Sequence, residues 1–160
     1  MKRTIRKGLF ETNSSSIHCI TIGNNGENFY EKLPKKVEFT FGEFGWEHKI
    51  YNDTESKASY LYTLIRYNEM GEEYINKIRD ILAEWNVESE FADIHEQGWY
   101  YVDHGFNAKS LVEKLCNDSR LLMNYLFSEG SVIETGNDNE EIDWSADKPT
   151  NILLEYEKGN

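Results

Sequence analysis

The order of strand-like and helix-like segments constrains the fold of this chain more than any other feature of its sequence. Residues 17–22 are nearly all apolar or β-prone, and residues 37–41 alternate strictly between apolar and polar side chains, so both segments are predicted to be strands. Helical and strand-like segments then follow in groups, in the order ββαα(ββ)ααββ. Because they do not alternate one by one, the order predicts an α+β fold rather than a doubly wound α/β fold.

Two consecutive helices are expected in the middle of the chain. Residues 52–55 offer a capping signal before Ala58, Leu61 and Ile65, whose spacing is helical, and Gly71 suits the position just past a helix end. The next segment places its apolar side chains on one helical stripe, at Ile75, Ile78, Ile81, Leu82 and Trp85.

This stripe is expected to pack on the sheet. Four of its residues, Ile75, Ile78, Leu82 and Trp85, should be buried against Val37, Phe39 and Phe41, because that arrangement hides both apolar faces.

The second half of the chain leaves more alternatives open. Residues 91–94 and 99–102 flank a Gln97-Gly98 turn and predict a β-hairpin, although the first arm could equally be a loop. Asn107 can cap a helical region that has a polar break at residues 117–119, and this region could form one bent helix or two. Residues 131–133 and 152–154 are predicted to be late strands.

Length and composition limit the chain to one folded unit. Its 160 residues and 18.8 kDa match one ordinary domain, and 39% hydrophobic and 14% aromatic residues suffice for a core. We therefore expect a single α+β domain over residues 1–160, with a mostly antiparallel sheet packed against about three to four helices.

The charge balance excludes several classes of partner. With 17 basic and 29 acidic side chains the net charge is -12, which argues against direct binding to nucleic acid or to an anionic membrane. A charged partner should therefore be a protein with a basic surface. Neither a secretory segment nor a run of 18 apolar residues occurs, so a cytoplasmic location is expected. Cys19 and Cys116 lack metal or redox spacing and are predicted to be buried free thiols.

Residues 11–18, ETNSSSIH, form the segment richest in reactive side chains. Its hydroxyl and backbone N–H groups could bind an anion with help from a nearby arginine, and the candidates are Arg6, Ser14, Ser15 and Ser16. The alternative is a polar loop whose hydroxyls bond to their own turn, and residue chemistry alone favours that alternative.

A catalytic site would need a histidine with an orienting carboxylate. The candidates are His18 and His104 as general acid or base, with Glu11 or Asp103 beside them. No metal is predicted, because the histidines and acids show no metal-binding spacing, and the oxygen-rich residues 135–141 have the composition of a tight turn. No cofactor is predicted either.

Residues 6–18 also resemble a known signature. They are similar to the N-terminal pattern G-x-F-E-T-N-S-S-S-x-H of small proteins from phages and phage-like elements, and residues 101–104, 124–127 and 135–139 are similar to later segments of the same group. The resemblance implies a mobile-element setting, in which the expected location is the cytoplasm of the bacterial host, and it brings no catalytic role with it. By analogy with other small acidic phage proteins, this setting favours an inhibitor of a host defence.

The function expected from the sequence is therefore binding rather than catalysis. We expect an acidic phage-type protein that binds and inhibits a basic host nucleic-acid-handling or defence protein, in the manner of an anti-CRISPR or anti-restriction protein. The acids expected to contact the partner are Glu88, Glu90, Asp93, Glu96, Asp138, Glu140, Glu141, Asp143 and Asp147.

Two alternatives remain open. One is a small enzyme acting on a phosphorylated or nucleotide-like substrate through residues 11–18 with Asp103 and His104. The other is a phage structural or morphogenesis accessory protein.

Overall fold

The structure is a computed structural model that describes residues 16–23, 31–45, 47–94, 100–102, 108–137 and 153–156. Within these residues it contains four helices: α1 (Thr54–Tyr67), α2 (Glu72–Glu84), α3 (Ala108–Asn117) and α4 (Ser119–Phe127). The strands are β1 (Ser16–Thr21), β2 (Lys36–Phe39), β3 (Glu43–Phe44), β4 (Lys49–Tyr51), β5 (Glu88–Phe91), β6 (Tyr101–Val102), β7 (Val132–Asn137) and β8 (Leu153–Tyr156). The predicted α+β class is confirmed.

The largest sheet joins both ends of the chain. Its strand order is β4-β7-β1-β8, and every pair of neighbours is antiparallel. The early strand β1 therefore lies between the two late strands, with Ile20 opposite both Ile133 and Leu154. As a result the strand predicted at residues 17–22 is an interior strand of this sheet.

The remaining strands form two parallel pairs, β2 with β5 and β3 with β6. Residues 36–44 run beside β5 and then beside β6 in the same direction. The paired residues Phe39 and Phe44 are five positions apart, whereas their partners Phe91 and Val102 are eleven apart.

The hairpin predicted for residues 91–94 and 99–102 is thus wrong. The turn signal is local, but β5 and β6 pair with strands about 50 to 60 residues earlier in the chain. The two paired segments are connected by a crossover that includes α1 and α2. Gln97 and Gly98 lie outside the described residues.

Helix boundaries follow local capping chemistry. The Asp53 side chain accepts a hydrogen bond from the Ser56 N–H at the start of α1, as the predicted capping signal requires. Gly71 does not end α1, because it is the N-cap of α2; the left-handed residue after α1 is Glu69, with φ 52°. The region after residue 107 forms two helices, because Asp118 caps α4 through the Leu121 N–H at 3.0 Å.

The core surrounds α1. All nine residues from 57 to 65 are buried, so this helix is enclosed on every side by strands and helices. On α2, Ile75, Ile78 and Leu82 are buried as predicted, whereas Trp85 and Phe41 are only half-buried. The predicted partner of this stripe is wrong, because β2 packs mainly on α1, whereas the α2 stripe packs on β5, α3 and α4. None of the helices in the described part of the chain is long and apolar enough to cross a membrane.

Candidate acidic binding face

The outer side of the β2–β5 sheet displays charged side chains on a rigid apolar support. Along β2, Val37 and Phe39 are buried while Lys36 and Glu38 are exposed, which is the alternation of a half-buried strand. The register pairs Lys36 with Glu88 and Glu38 with Glu90, so these four side chains share the outer side. We call these four residues the acidic face.

Ion pairs organise the acidic face. The Lys36 ammonium group lies 3.0 Å from Glu38 Oε1 and also forms an ion pair with Glu90. These hydrogen bonds, first to Glu90 and then to Glu38, raise the pKa of Lys36 above its ordinary value. The acidic face carries three carboxylates and one ammonium group, and the Glu38 and Glu90 side chains are 62% and 64% exposed. The face therefore presents net negative charge to solvent.

The inner side of this sheet packs aromatic rings against one another and against α1. The Phe39 and Phe91 rings stack with centroids 4.5 Å apart, and Tyr62 of α1 meets Phe91 edge-on at 5.4 Å. The outer carboxylates are thus attached to a backbone that is held by aromatic packing.

The structure divides the predicted partner-binding acids into three groups. Glu88 and Glu90 lie together on the acidic face, whereas Asp93 is exposed beyond the end of β5, beside a cleft described below. The other six lie outside the described residues: Glu96, Asp138, Glu140, Glu141, Asp143 and Asp147. Sequence reasoning missed Glu38, although the strict alternation of residues 37–41 already placed its side chain opposite Val37 and Phe39.

His18 is enclosed by the protein. If residues 14–18 lined a site, the alternation of the strand would place His18 at the boundary between buried and exposed surface, but His18 is only 6% exposed. It lies on β1, between β7 and β8, and its Nδ1 is 3.0 Å from the Tyr60 hydroxyl of α1. This burial differs from the position expected for a site residue and arises because strands flank β1 on both sides and α1 supplies a partner for the imidazole.

The other predicted catalytic and anion-binding residues cannot be placed around His18. Arg6, Glu11, Ser14, Ser15, Asp103 and His104 lie outside the described residues. Ser16 is described by its backbone, which pairs with Asn137 at the start of β1.

Metal and thiol chemistry find little support in the described part of the chain. No group of three or more histidine, cysteine, aspartate or glutamate side chains there is arranged to hold a metal ion. Cys19 and Cys116 are buried free thiols, as predicted. Burial raises the pKa of Cys116 to about 11, so its sulfur remains protonated and weakly nucleophilic near neutral pH.

Comparison with family models, with curated proteins and with solved structures gave no match.

Proposed function

We propose that this chain binds and inhibits a basic host protein that handles nucleic acid or defends against mobile elements. The acidic face would dock on the surface with which that protein holds phosphates. The observation that supports this proposal is the set of three exposed carboxylates, Glu38, Glu88 and Glu90, on a rigid two-stranded support in a chain of net charge -12.

The geometry of the face suits recognition of a basic surface. Carboxylates two positions apart on a strand are separated by about 7 Å and those on neighbouring strands by about 5 Å, so the charges form a compact cluster. Their exposure leaves them free to pair with arginine or lysine side chains, and a cluster of one sign speeds association. Lys36 holds Glu38 and Glu90 in place before the partner arrives, which reduces the entropy lost on binding.

The proposal is tested with purified bacterial nucleases and recombination proteins that have basic nucleic-acid-binding surfaces. The measurements are the affinity of each for this chain and inhibition of its binding to DNA. The double variant Glu88→Gln/Glu90→Gln removes two charges from the acidic face. The matched control, Asp80→Asn/Glu84→Gln, removes two charges from exposed positions on α2.

We expect one of these proteins to bind the wild-type chain and to release its DNA when it does so. Heparin, a polyanion, should dissociate the resulting complex. The face variant should lose about thirtyfold in affinity, since the two charged contacts contribute on the order of 1 kcal/mol each, while the control keeps its affinity. Equal binding by both double variants, or no complex with any of these proteins at low salt, would contradict the proposal.

A further inference from the structure

A cleft of about 370 Å³ lies between α1, α2 and the residues that follow β5. Its volume falls in the range of small-molecule sites. The cleft is separate from the acidic face, because Phe91 lines it and successive side chains of β5 point to opposite sides. The residues used in the argument are Tyr62, Arg66, Glu72, Arg79, Phe91 and Asp93.

Two arginines lie over two touching aromatic rings in this cleft. The Cζ atom of Arg66 is 5.3 Å from the centre of the Tyr62 ring, and that of Arg79 is 5.2 Å from the centre of the Phe91 ring. The two rings meet edge-on, and the Tyr62 hydroxyl donates a 2.7 Å hydrogen bond to the carbonyl of Ala92. These contacts hold both guanidinium groups in position before any ligand binds.

Much of the donor capacity of these arginines is not used by the described residues. Arg79 donates one hydrogen bond, from Nη1 to Asn76 Oδ1 at 2.8 Å, out of the five N–H groups of a guanidinium. Arg66 donates from Nε to the Tyr62 hydroxyl and from Nη1 to Glu72 Oε1. A guanidinium with unused donors can form two parallel hydrogen bonds, a bidentate contact, with a carboxylate or a phosphate.

We propose that this cleft binds a small carboxylate with an aromatic body. The ligand carboxylate takes the place of the Glu72 carboxylate at Arg66 and receives a second set of hydrogen bonds from Arg79. The ring of the ligand lies toward Ile94, an apolar residue that lines the cleft and is 39% exposed.

The exchange of Glu72 for a ligand costs little. The Glu72 side chain is 64% exposed, and ion pairs of exposed side chains contribute little to stability because water competes for both partners. Glu72 can therefore turn toward water when another carboxylate reaches Arg66.

The charge of the cleft selects a singly charged ligand. Glu72 and Asp93 balance Arg66 and Arg79, so the cleft has no net positive charge to offset a doubly charged phosphate. Benzoate should therefore bind better than phenyl phosphate, which has the same ring with a larger anionic charge.

The test is a titration of the full chain with benzoate, followed through the NMR signals of the arginine Nε–H groups and the Ile94 methyl groups. Signals of Arg66, Arg79 and Ile94 should shift together and saturate. Arg79→Gln should weaken binding about tenfold, as expected for loss of hydrogen bonds from a charged group. Glu72→Gln should strengthen it, because the competing carboxylate is gone.

Lys114→Gln, which removes one positive charge from an exposed position on α3, is the matched control and should leave the affinity unchanged. Because Arg79 is exposed, its variant should keep the wild-type melting temperature, which separates lost binding from lost folding. Shifts that never saturate, or equal benzoate affinity in Arg79→Gln, would overturn the proposal. Tighter binding of phenyl phosphate than of benzoate would overturn the assignment to a carboxylate.

Discussion

Lys57 is a lysine of α1 whose ammonium group is enclosed by the protein. Its side chain is 1% exposed, and Nζ donates hydrogen bonds to the carbonyl oxygens of Ser128 and Ser131, at 3.0 and 3.2 Å. Both carbonyls lie just beyond the C-terminal end of α4, where a positive charge is favourable. Lys57 therefore ties the central helix to the turn that leads into β7.

The stability of the protein should depend on pH through the titration of Lys57. Burial lowers the pKa of Lys57 to about 8, against the attraction of Asp53, whereas in the unfolded chain it is about 10.4. Between these values the unfolded chain binds the extra proton, so the free energy of unfolding should rise as pH increases from about 8 to about 10.4. We expect this rise, measured by urea unfolding, to be smaller in Lys57→Met than in the wild type.

The matched control for this experiment is Lys114→Met, which removes an exposed lysine and should keep the wild-type pH dependence. The measurement compares how steeply the free energy of unfolding rises with pH, so it does not depend on whether Lys57→Met is more or less stable at neutral pH. An equally steep rise in Lys57→Met and in the wild type would show that Lys57 has the same pKa in the folded and the unfolded chain.

His18 should prove to be a structural histidine. Replacing His18 with Ala removes a hydrogen-bond partner of the buried Tyr60 hydroxyl and leaves a cavity in the sheet, so the free energy of unfolding should fall by about 2 to 4 kcal/mol. Binding through the acidic face should be unchanged under conditions in which the variant is folded. Near-wild-type stability together with lost binding would instead identify His18 as part of a functional site.

At the scale of the secondary-structure elements, α2 joins the small parallel sheet to the helical half of the core. Ile78 is fully buried on the stripe that contacts β5 and α3, so Ile78→Ala should lower the free energy of unfolding by roughly 2 to 5 kcal/mol. Asp80→Ala, at an exposed position on the same helix, should change it by less than about 0.5 kcal/mol. Thermal and urea unfolding measure both effects, and a neutral Ile78→Ala would mean that the helix faces the core with a different stripe.

At the scale of the whole molecule, the net charge of -12 should make added salt stabilise the folded protein and weaken its complex with a basic partner. Raising NaCl from about 0.01 M to about 0.15 M shortens the screening length from about 30 Å to about 8 Å. Repulsion among the acids of the free protein then weakens, and its melting temperature should rise, while a complex with a basic partner should weaken.

Scanning calorimetry across these salt concentrations checks the folding half of this prediction. Glu88→Gln/Glu90→Gln, with a smaller net charge, should show a smaller rise. A melting temperature that falls with salt would mean that attraction within the charge network, such as that around Lys36, outweighs the repulsion.

The sequence by itself determined the local features of this protein. The capping signal before α1, the apolar stripe of α2 and the alternation in β2 depend on contacts within a few residues, and each appears in the structure at or near its predicted place. The grouping of these elements was sufficient to predict the α+β class.

Only the tertiary structure decided which strands pair and which side chains meet. The parallel pairing of β2 with β5 joins residues about 50 positions apart, and no local pattern distinguishes it from a hairpin at Gln97-Gly98. The same long-range pairing brings Glu38 beside Glu90. His18 is enclosed by the pairing of β1 with β7 and β8 and by α1, and Lys57 is held by two carbonyl groups that follow α4. Burial and charge clustering arise from contacts between distant segments, so the candidate binding surfaces could be recognised only after the chain was folded.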